Sequence, residues 1–474
     1  MPVNEAQRCQ IEAAAAGIHG RRTSVSSCFE ILAFYALLAT ILLAAIPYGT
    51  VAVWHKSLLI LVIGILAGLR IIDGAARGSF RIAEPLLLLP LVAVLCLAIS
   101  QIIPFPGTSV VSVDPYETKA FILTFGGLIV TAEVLFYYSN SRHRLKCLVA
   151  LVIAIGVSSA IFGVLRGLYL DDHPGILAGY LPYGQGYAQF FNRNHFVLLL
   201  EMAFGLLLGI LIKGELSQKL KFWGWFFAAI MIYAAITANS RGGIISFAAL
   251  ILCAVAVHLV TRNERLNSDS EITYRPLANA SRLVRKIAIV FAQCVLVFAM
   301  IVITIAFVGG DDVITRIASL KAEVEPIDSK KVNRNFIWHS TLDLIKTEPV
   351  LGVGFGGYAT GITRVDTSSG NHSPQQAHND YLEILANGGV IGFVLFGAFG
   401  ALVVSRTLKN LKSSDRLTKS SCFGAAIGIF GVLIHSFVDF GLHIMINALI
   451  FAVLVVIATT KRVDERGPSA LHKA

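Results

Sequence analysis

NRNHFVLLLEMAFGLLLGILIKGELSQKLKFWGWFFAAIMIYAAITANSRGG, residues 192–243, is the stretch on which the fold class turns. Two apolar runs, 194–212 and 222–238, flank a short polar connection carrying Lys213, Lys219 and Lys221. A helix needs about 20 apolar residues to cross a hydrocarbon core roughly 30 Å thick, and each run has that length. Strand-like alternation is missing, so the runs read as helices and not as barrel strands.

The same pattern extends in both directions. Of the 474 residues, 55% are hydrophobic and 14% charged, against roughly 25% charged in a soluble domain. A chain this long and apolar needs lipid as part of its solvent. Further runs lie near 29–47, 57–72, 84–103, 119–138, 147–169, 242–260, 287–308, 381–405, 420–438 and 441–460. The expectation is an all-α polytopic membrane protein with about twelve spans. It divides into a cytoplasmic segment at 1–28, a membrane domain at 29–460 and a cytoplasmic tail at 461–474. The first run reads as a retained span: a mixed segment precedes it and no small-residue cleavage site follows.

Basic residues set the orientation, because Lys and Arg collect on the cytoplasmic side. They occupy alternate connections: Arg8, Arg21 and Arg22; Arg77 and Arg81; Arg142, Arg144 and Lys146; Lys213, Lys219 and Lys221; then 262–286, 406–419 and the tail. Both termini are expected in the cytoplasm. The net charge of +10 is this topological signal and carries no nucleic-acid meaning. Cys9, Cys28, Cys147 and Cys422 fall on or near the cytoplasmic side and Cys96, Cys253 and Cys294 inside spans, which predicts no disulfide framework.

One outer loop, 309–380, is long, and long loops are usually functional. Within it, residues 333–352 have the spacing of a short amphipathic helix ended by Pro349 and Gly352. GVGFGGY, 352–358, matches GxGxxG through Gly352, Gly354 and Gly357. No strand–helix unit surrounds it, so a tight turn is expected and dinucleotide binding is not.

Isolated ionisable residues mark the outer ends of the spans. Arg241 lies between two apolar runs, at the start of a helix whose free N–H groups and dipole favour anions. It reads either as a diphosphate clamp or as a snorkelling anchor, and Gly242 and Gly243 permit close approach. Arg193, in FFNRNHF at 190–196, is a second candidate anion contact, with Asn192 or Asn194 a possible helix cap. Arg334, in the outer loop, could reach the same anion or be a solvated charge. His378 opens AHNDYLEILANGGVIG, 377–392, where the loop returns to the membrane. It could take a proton from an attacking hydroxyl or be a plain surface histidine. Asn379 lies within this motif, and Asp380 with Glu383 resembles a variant capping box. His435 and Asp439, four apart in HSFVDFGLHIMINA, are expected on one helix face as an interhelical hydrogen-bonded pair. A metal site from His372, His378 and Asp366 matches no specific zinc spacing.

In combination, NRNH before one span, SRGG before another, R-x-x-x-W in the outer loop, the Gly-rich turn and HNDYLEILANGGVIG resemble the O-antigen ligase superfamily. It groups O-antigen ligases, O-antigen and exopolysaccharide polymerases, and bacterial protein O-oligosaccharyltransferases. The resemblance covers about 180–450. It implies a GT-C-like fold with the long periplasmic loop between the ninth and tenth spans. It also implies a metal-independent, inverting glycosyltransferase of the inner membrane with no cofactor, active on the periplasmic face in lipopolysaccharide or exopolysaccharide biosynthesis. The donor would be a glycan on undecaprenyl diphosphate, and the acceptor another glycan or a lipid A-core sugar. Arg193, Arg241 and Arg334 would surround the diphosphate, His378 would serve the acceptor hydroxyl, and Asn379, Asp380, His435 and Asp439 would be secondary. A multi-span transporter of an anionic or lipid-linked substrate is the alternative, although no internal repeat is visible.

Overall fold

In a computed structural model, the protein is described over residues 29–46, 50, 53–104, 110–169, 187–268, 334–366 and 374–460. The expected span at 287–308, the first part of the outer loop, His372, segment 1–28 and tail 461–474 lie outside the described residues. The described residues form no named strand, only an isolated bridge between Tyr187 and Phe190.

The helices are α1 (Phe29–Ala44), α2 (Val53–Arg77), α3 (Pro85–Gln101), α4 (Pro115–Tyr138), α5 (Arg142–Tyr169), α6 (Arg193–Lys213), α7 (Gln218–Thr237), α8 (Arg241–Ser268), α9 (Arg334–Thr347), α10 (Asp380–Asn410), α11 (Arg416–His435) and α12 (Met445–Thr459). Among the described residues, α2, α4 to α7, α10 and α11 are long and apolar enough to cross a membrane, and α1, α3, α8 and α12 contain shorter apolar helices. Each coincides with a run read from the sequence. The amphipathic α9 forms where the loop pattern predicts it.

Short polar residues start these helices. Asp114, Ser217 and Asp415 accept the N–H of Glu117, Leu220 and Thr418 at the starts of α4, α7 and α11, satisfying donors that a helix start leaves open.

The centre of the bundle is α6. Its apolar residues run round the whole helix and nearly all are buried, as expected of an enclosed helix. It packs most extensively on α11. Gly205 and Gly209 face Gly428 and Gly424 so closely that a Cβ on either α6 glycine would strike the α11 backbone. Such small-residue seams let helices meet where apolar burial gives no drive.

The two ends of the bundle differ. At one end lie the ion pairs Arg77–Glu30 (2.5 Å), Arg144–Glu30 (2.5 Å), Arg142–Asp415 (3.2 Å), Arg406–Glu84 (3.3 Å) and Arg416–Glu215. These are the basic connections. The opposite end gathers the starts of α6, α8, α9 and α10 with the end of α11.

The run expected as a span at 381–405 is broken inside. Gly389 adopts φ 59° and ψ −165° inside α10. The Gly-rich turn fills the break: Val353 and Gly354 N–H donate to the carbonyls of Ala386 (2.9 Å) and Asn387 (3.0 Å), and Val390 N–H donates to Pro349 O (2.9 Å). Gln101 closes the other side through Leu351 O (2.7 Å) and the Phe355 N–H (3.0 Å). Gly352, at φ 69°, lies against the Asn387 carbonyl with no room for a Cβ. GVGFGGY is thus a structural wedge.

Candidate functional site

Arg193, Arg241 and Arg334 line one cavity of about 170 Å³, with Asn194, Asn239 and Gly242. Each arginine is the first residue of its helix, α6, α8 or α9. Three helix starts therefore converge, each presenting the positive end of a helix dipole. The same geometry that brings the guanidinium groups together sets those dipole ends around one place for an anion.

Hydrogen bonds stitch these starts in place. Asn192 caps α6 by accepting the Asn194 N–H (2.8 Å). The Ser240 hydroxyl donates to Asn194 Oδ1 (2.7 Å) and accepts the Gly243 N–H (3.1 Å), joining α6 to α8. Asn239 holds the turn before Arg241 at φ 58°, a conformation that Asn tolerates. Gly242 and Gly243 do permit close approach, but by neighbouring side chains: Val438, in the turn after α11, lies against one and Val197 of α6 against the other.

His378 stands at the same end. Trp338, one turn beyond Arg334 on α9, donates from Nε1 to Ala377 O (3.1 Å), and the Ala377 N–H donates to Glu383 Oε2 (2.9 Å). Between these ties and α10, His378 is held at φ 50°, a left-handed conformation that a non-glycine residue keeps only when its surroundings hold it there. Its Nδ1 lies 3.3 Å from Asp439 Oδ1, and its ring meets the edge of Phe440 at 4.9 Å. The side chain is 32% exposed. With Nδ1–H donating to Asp439, the lone pair of Nε2 is left for a hydroxyl proton. Val438, packed on Gly242, precedes Asp439, so the Arg241 turn and the histidine are neighbours through one short segment.

Asp439 is buried beneath three imidazoles. Its Oδ2 lies 3.9 Å from His435 Nε2 and 4.0 Å from His195 Nε2. Burial works to raise its carboxyl, but the His378 hydrogen bond, His195, His435 and the Phe440 N–H outweigh burial and hold it well below the usual carboxylate range. His195 belongs to the first turn of α6 and thus links the Arg193 cavity to this carboxylate.

Two expectations need correction. His435 and Asp439 do not share a helix face, because α11 ends at His435 and Asp439 lies in the following turn. The hydrogen bond that His435 makes is interhelical but goes to Glu201 Oε1 (2.9 Å). Asp380 and Glu383 do not form a capping box either. Asn379 caps α10, accepting from Tyr381 and Leu382 N–H. Glu383 turns back to Ala377. Asp380 pins α10 to α11 by accepting the Ser436 hydroxyl (2.7 Å) and donating its own N–H to Ser436 O (2.9 Å).

Glu201 was not singled out in the sequence, although a carboxylate inside an apolar run is itself a signal. Its Oε1 also accepts the Ser246 hydroxyl. Among the described residues no group of three or more His, Cys, Asp or Glu has the arrangement of a metal site, and of the suggested trio His372 lies outside them.

Residues 226–397 match the family described as O-antigen ligase. This part of the chain belongs to the O-antigen ligase superfamily. The matched region runs from α7 into α10, so it contains Arg241, Arg334 and His378, while Arg193, His435 and Asp439 join it from α6, α11 and the turn after α11. No curated protein matches the chain. The chain is therefore an all-α, multi-pass membrane protein with an O-antigen ligase domain, a domain of membrane enzymes that process lipid-linked glycans.

Proposed function

We propose that this protein is a glycosyltransferase of the bacterial inner membrane that transfers or polymerises undecaprenyl-diphosphate-linked glycan on the periplasmic face. The observation that carries the reading is the convergence of Arg193, Arg241 and Arg334, each at a helix start, on one cavity beside the His378–Asp439 pair. The basic end of the bundle faces the cytoplasm and the arginine cavity faces the periplasm.

The chemistry follows from those groups. Guanidinium groups and positive helix ends hold the diphosphate oxygens, the membrane holds the lipid tail, and the outer loop orients the acceptor. His378 Nε2 takes the proton of the acceptor hydroxyl while Asp439 stabilises the imidazolium that forms. The acceptor oxygen bonds to the anomeric carbon from the face opposite the diphosphate, which inverts that centre. The electron pair of the breaking carbon–oxygen bond goes to the diphosphate, where the arginines offset the growing charge without a metal. The acceptor is a glycan: a second lipid-linked repeat or a lipid A-core sugar.

The test is transfer by purified protein supplied with lipid-linked donor and glycan acceptor. Arg241→Ala and His378→Ala are expected to lose at least about 100-fold in rate, and chelator treatment is expected to leave the wild type unchanged. Full activity in both variants overturns the mechanism, and loss on chelation overturns its metal independence. A transporter reading predicts substrate counterflow in proteoliposomes without a covalent product. The helix break at Gly389 favours it little, because the Gly-rich turn packs into that break.

A further inference from the structure

Glu201 lies eight residues on from Arg193 along α6, about 12 Å deeper into the bundle at 1.5 Å per residue. It is fully buried, as is its partner His435. Ionisable groups at such depth are costly and are retained for a reason. A contribution to stability alone is a weak reason, because apolar residues of similar volume fill such a place equally well.

The geometry points elsewhere. His435 Nδ1–H donates to Glu201 Oε1 at 2.9 Å, and the Ser246 hydroxyl bonds to the same oxygen. The carboxylate is thereby fixed from two helices and in turn fixes the imidazole ring. The other ring nitrogen, Nε2, faces Asp439 Oδ2 at 3.9 Å, beyond hydrogen-bond distance, so His435 holds this carboxylate through the charge it carries when protonated; His195 Nε2 lies 4.0 Å from the same oxygen. This side of Asp439 is thus occupied by imidazoles, and its Oδ1 is left for His378 Nδ1 at 3.3 Å. Carboxylate and imidazole alternate from the interior towards the outer end of the bundle: Glu201, His435, Asp439, His378.

We infer that Glu201 is a positioning residue for the transfer reaction, acting through His435 to hold Asp439 in the orientation that aligns His378. The inference rests on the reading of His378 as the base. Glu201 touches no substrate. It fixes the rotation of a carboxylate two side chains away, and through it which nitrogen of His378 is offered to the acceptor hydroxyl.

The deciding variant replaces both interior partners, Glu201→Leu with His435→Leu. Neither member of the pair is left orphaned, Asp439 keeps His378 and His195, and Ser246 keeps the carbonyls of Gly242 (3.0 Å) and Gly243 (3.1 Å) as acceptors. The expected result is a folded protein with wild-type thermal midpoint and donor affinity, and kcat at least about tenfold lower. Wild-type kcat in the double variant overturns the inference. So does a kcat loss matched by an equal loss of donor affinity, which marks a general packing defect. If the double variant does not fold, Glu201→Gln decides in its place: reduced kcat at unchanged donor affinity supports the inference and unchanged kcat overturns it. His378→Ala, assayed in parallel, separates the two levels. Full activity there defeats the reading of the base itself, whereas full activity only in the Glu201 variants defeats the positioning role alone.

Discussion

Asp439 is the residue on which the proposed base depends. Replacing it by Asn keeps its size but removes the carboxylate charge that orients His378 and stabilises its imidazolium, and adds an amide N–H that can face the ring instead. Asp439→Asn is expected to lower kcat by about 100-fold or more while leaving donor affinity intact, read by steady-state transfer and equilibrium binding. Because its folded-state carboxyl is held below the usual range, its stabilising contribution is present above the ordinary carboxylate value of about 4 and is lost as pH falls through the lower folded value. A gap in thermal midpoint between wild type and Asp439→Asn should persist down to about pH 5 and close only below about pH 4. A gap that closes near neutrality contradicts this. The arginines and His378 were legible in the sequence because each is a lone charge or titratable group where an apolar run begins or ends. Asp439 as the partner of His378 was not, since 61 residues separate them and only the packing of α10 against α11 brings them together. Glu201 was visible as a lone carboxylate in an apolar run, but its meaning needed His435 beside it.

At the scale of the helix, the site depends on how closely α6 and α11 approach. α6 carries Arg193, His195 and Glu201, and α11 delivers His435 and the turn with Asp439. Gly209→Leu places a side chain where only backbone fits and should destabilise the fold by about 1–3 kcal/mol or more, lowering the thermal midpoint and donor affinity together. Gly64→Leu on α2, where a Cβ meets nothing within 4 Å, is the control expected to change neither. The apolar runs predicted these helices well, since length and composition are what a membrane demands of a helix. They did not predict the break at Gly389. The run around it stays apolar and continuous, and the wedge that accommodates the break comes from a loop more than thirty residues earlier in the chain, around Gly352 and Gly354.

For the whole molecule, the division into a basic end and an arginine cavity gives a topology that can be measured. A cysteine at Arg364, in the exposed outer-loop turn packed on α9, should react with an impermeant thiol reagent in intact spheroplasts, and a cysteine at Ser414, between α10 and α11, should react only after the membrane is opened. The reverse pattern contradicts the proposed orientation. Fold class and end-to-end polarity were legible because basic connections and apolar spans are one-dimensional signals. The cavity was legible only as a set of separate candidates, because nothing in the spacing of 193, 241 and 334 states that three helix starts meet. That meeting is tested most directly by binding of undecaprenyl diphosphate to the purified protein in lipid nanodiscs. Wild type is expected to bind the diphosphate more tightly than undecaprenyl monophosphate, with each of Arg193→Ala, Arg241→Ala and Arg334→Ala weakening the diphosphate by about tenfold or more. Equal affinity in wild type and in the triple variant would contradict it.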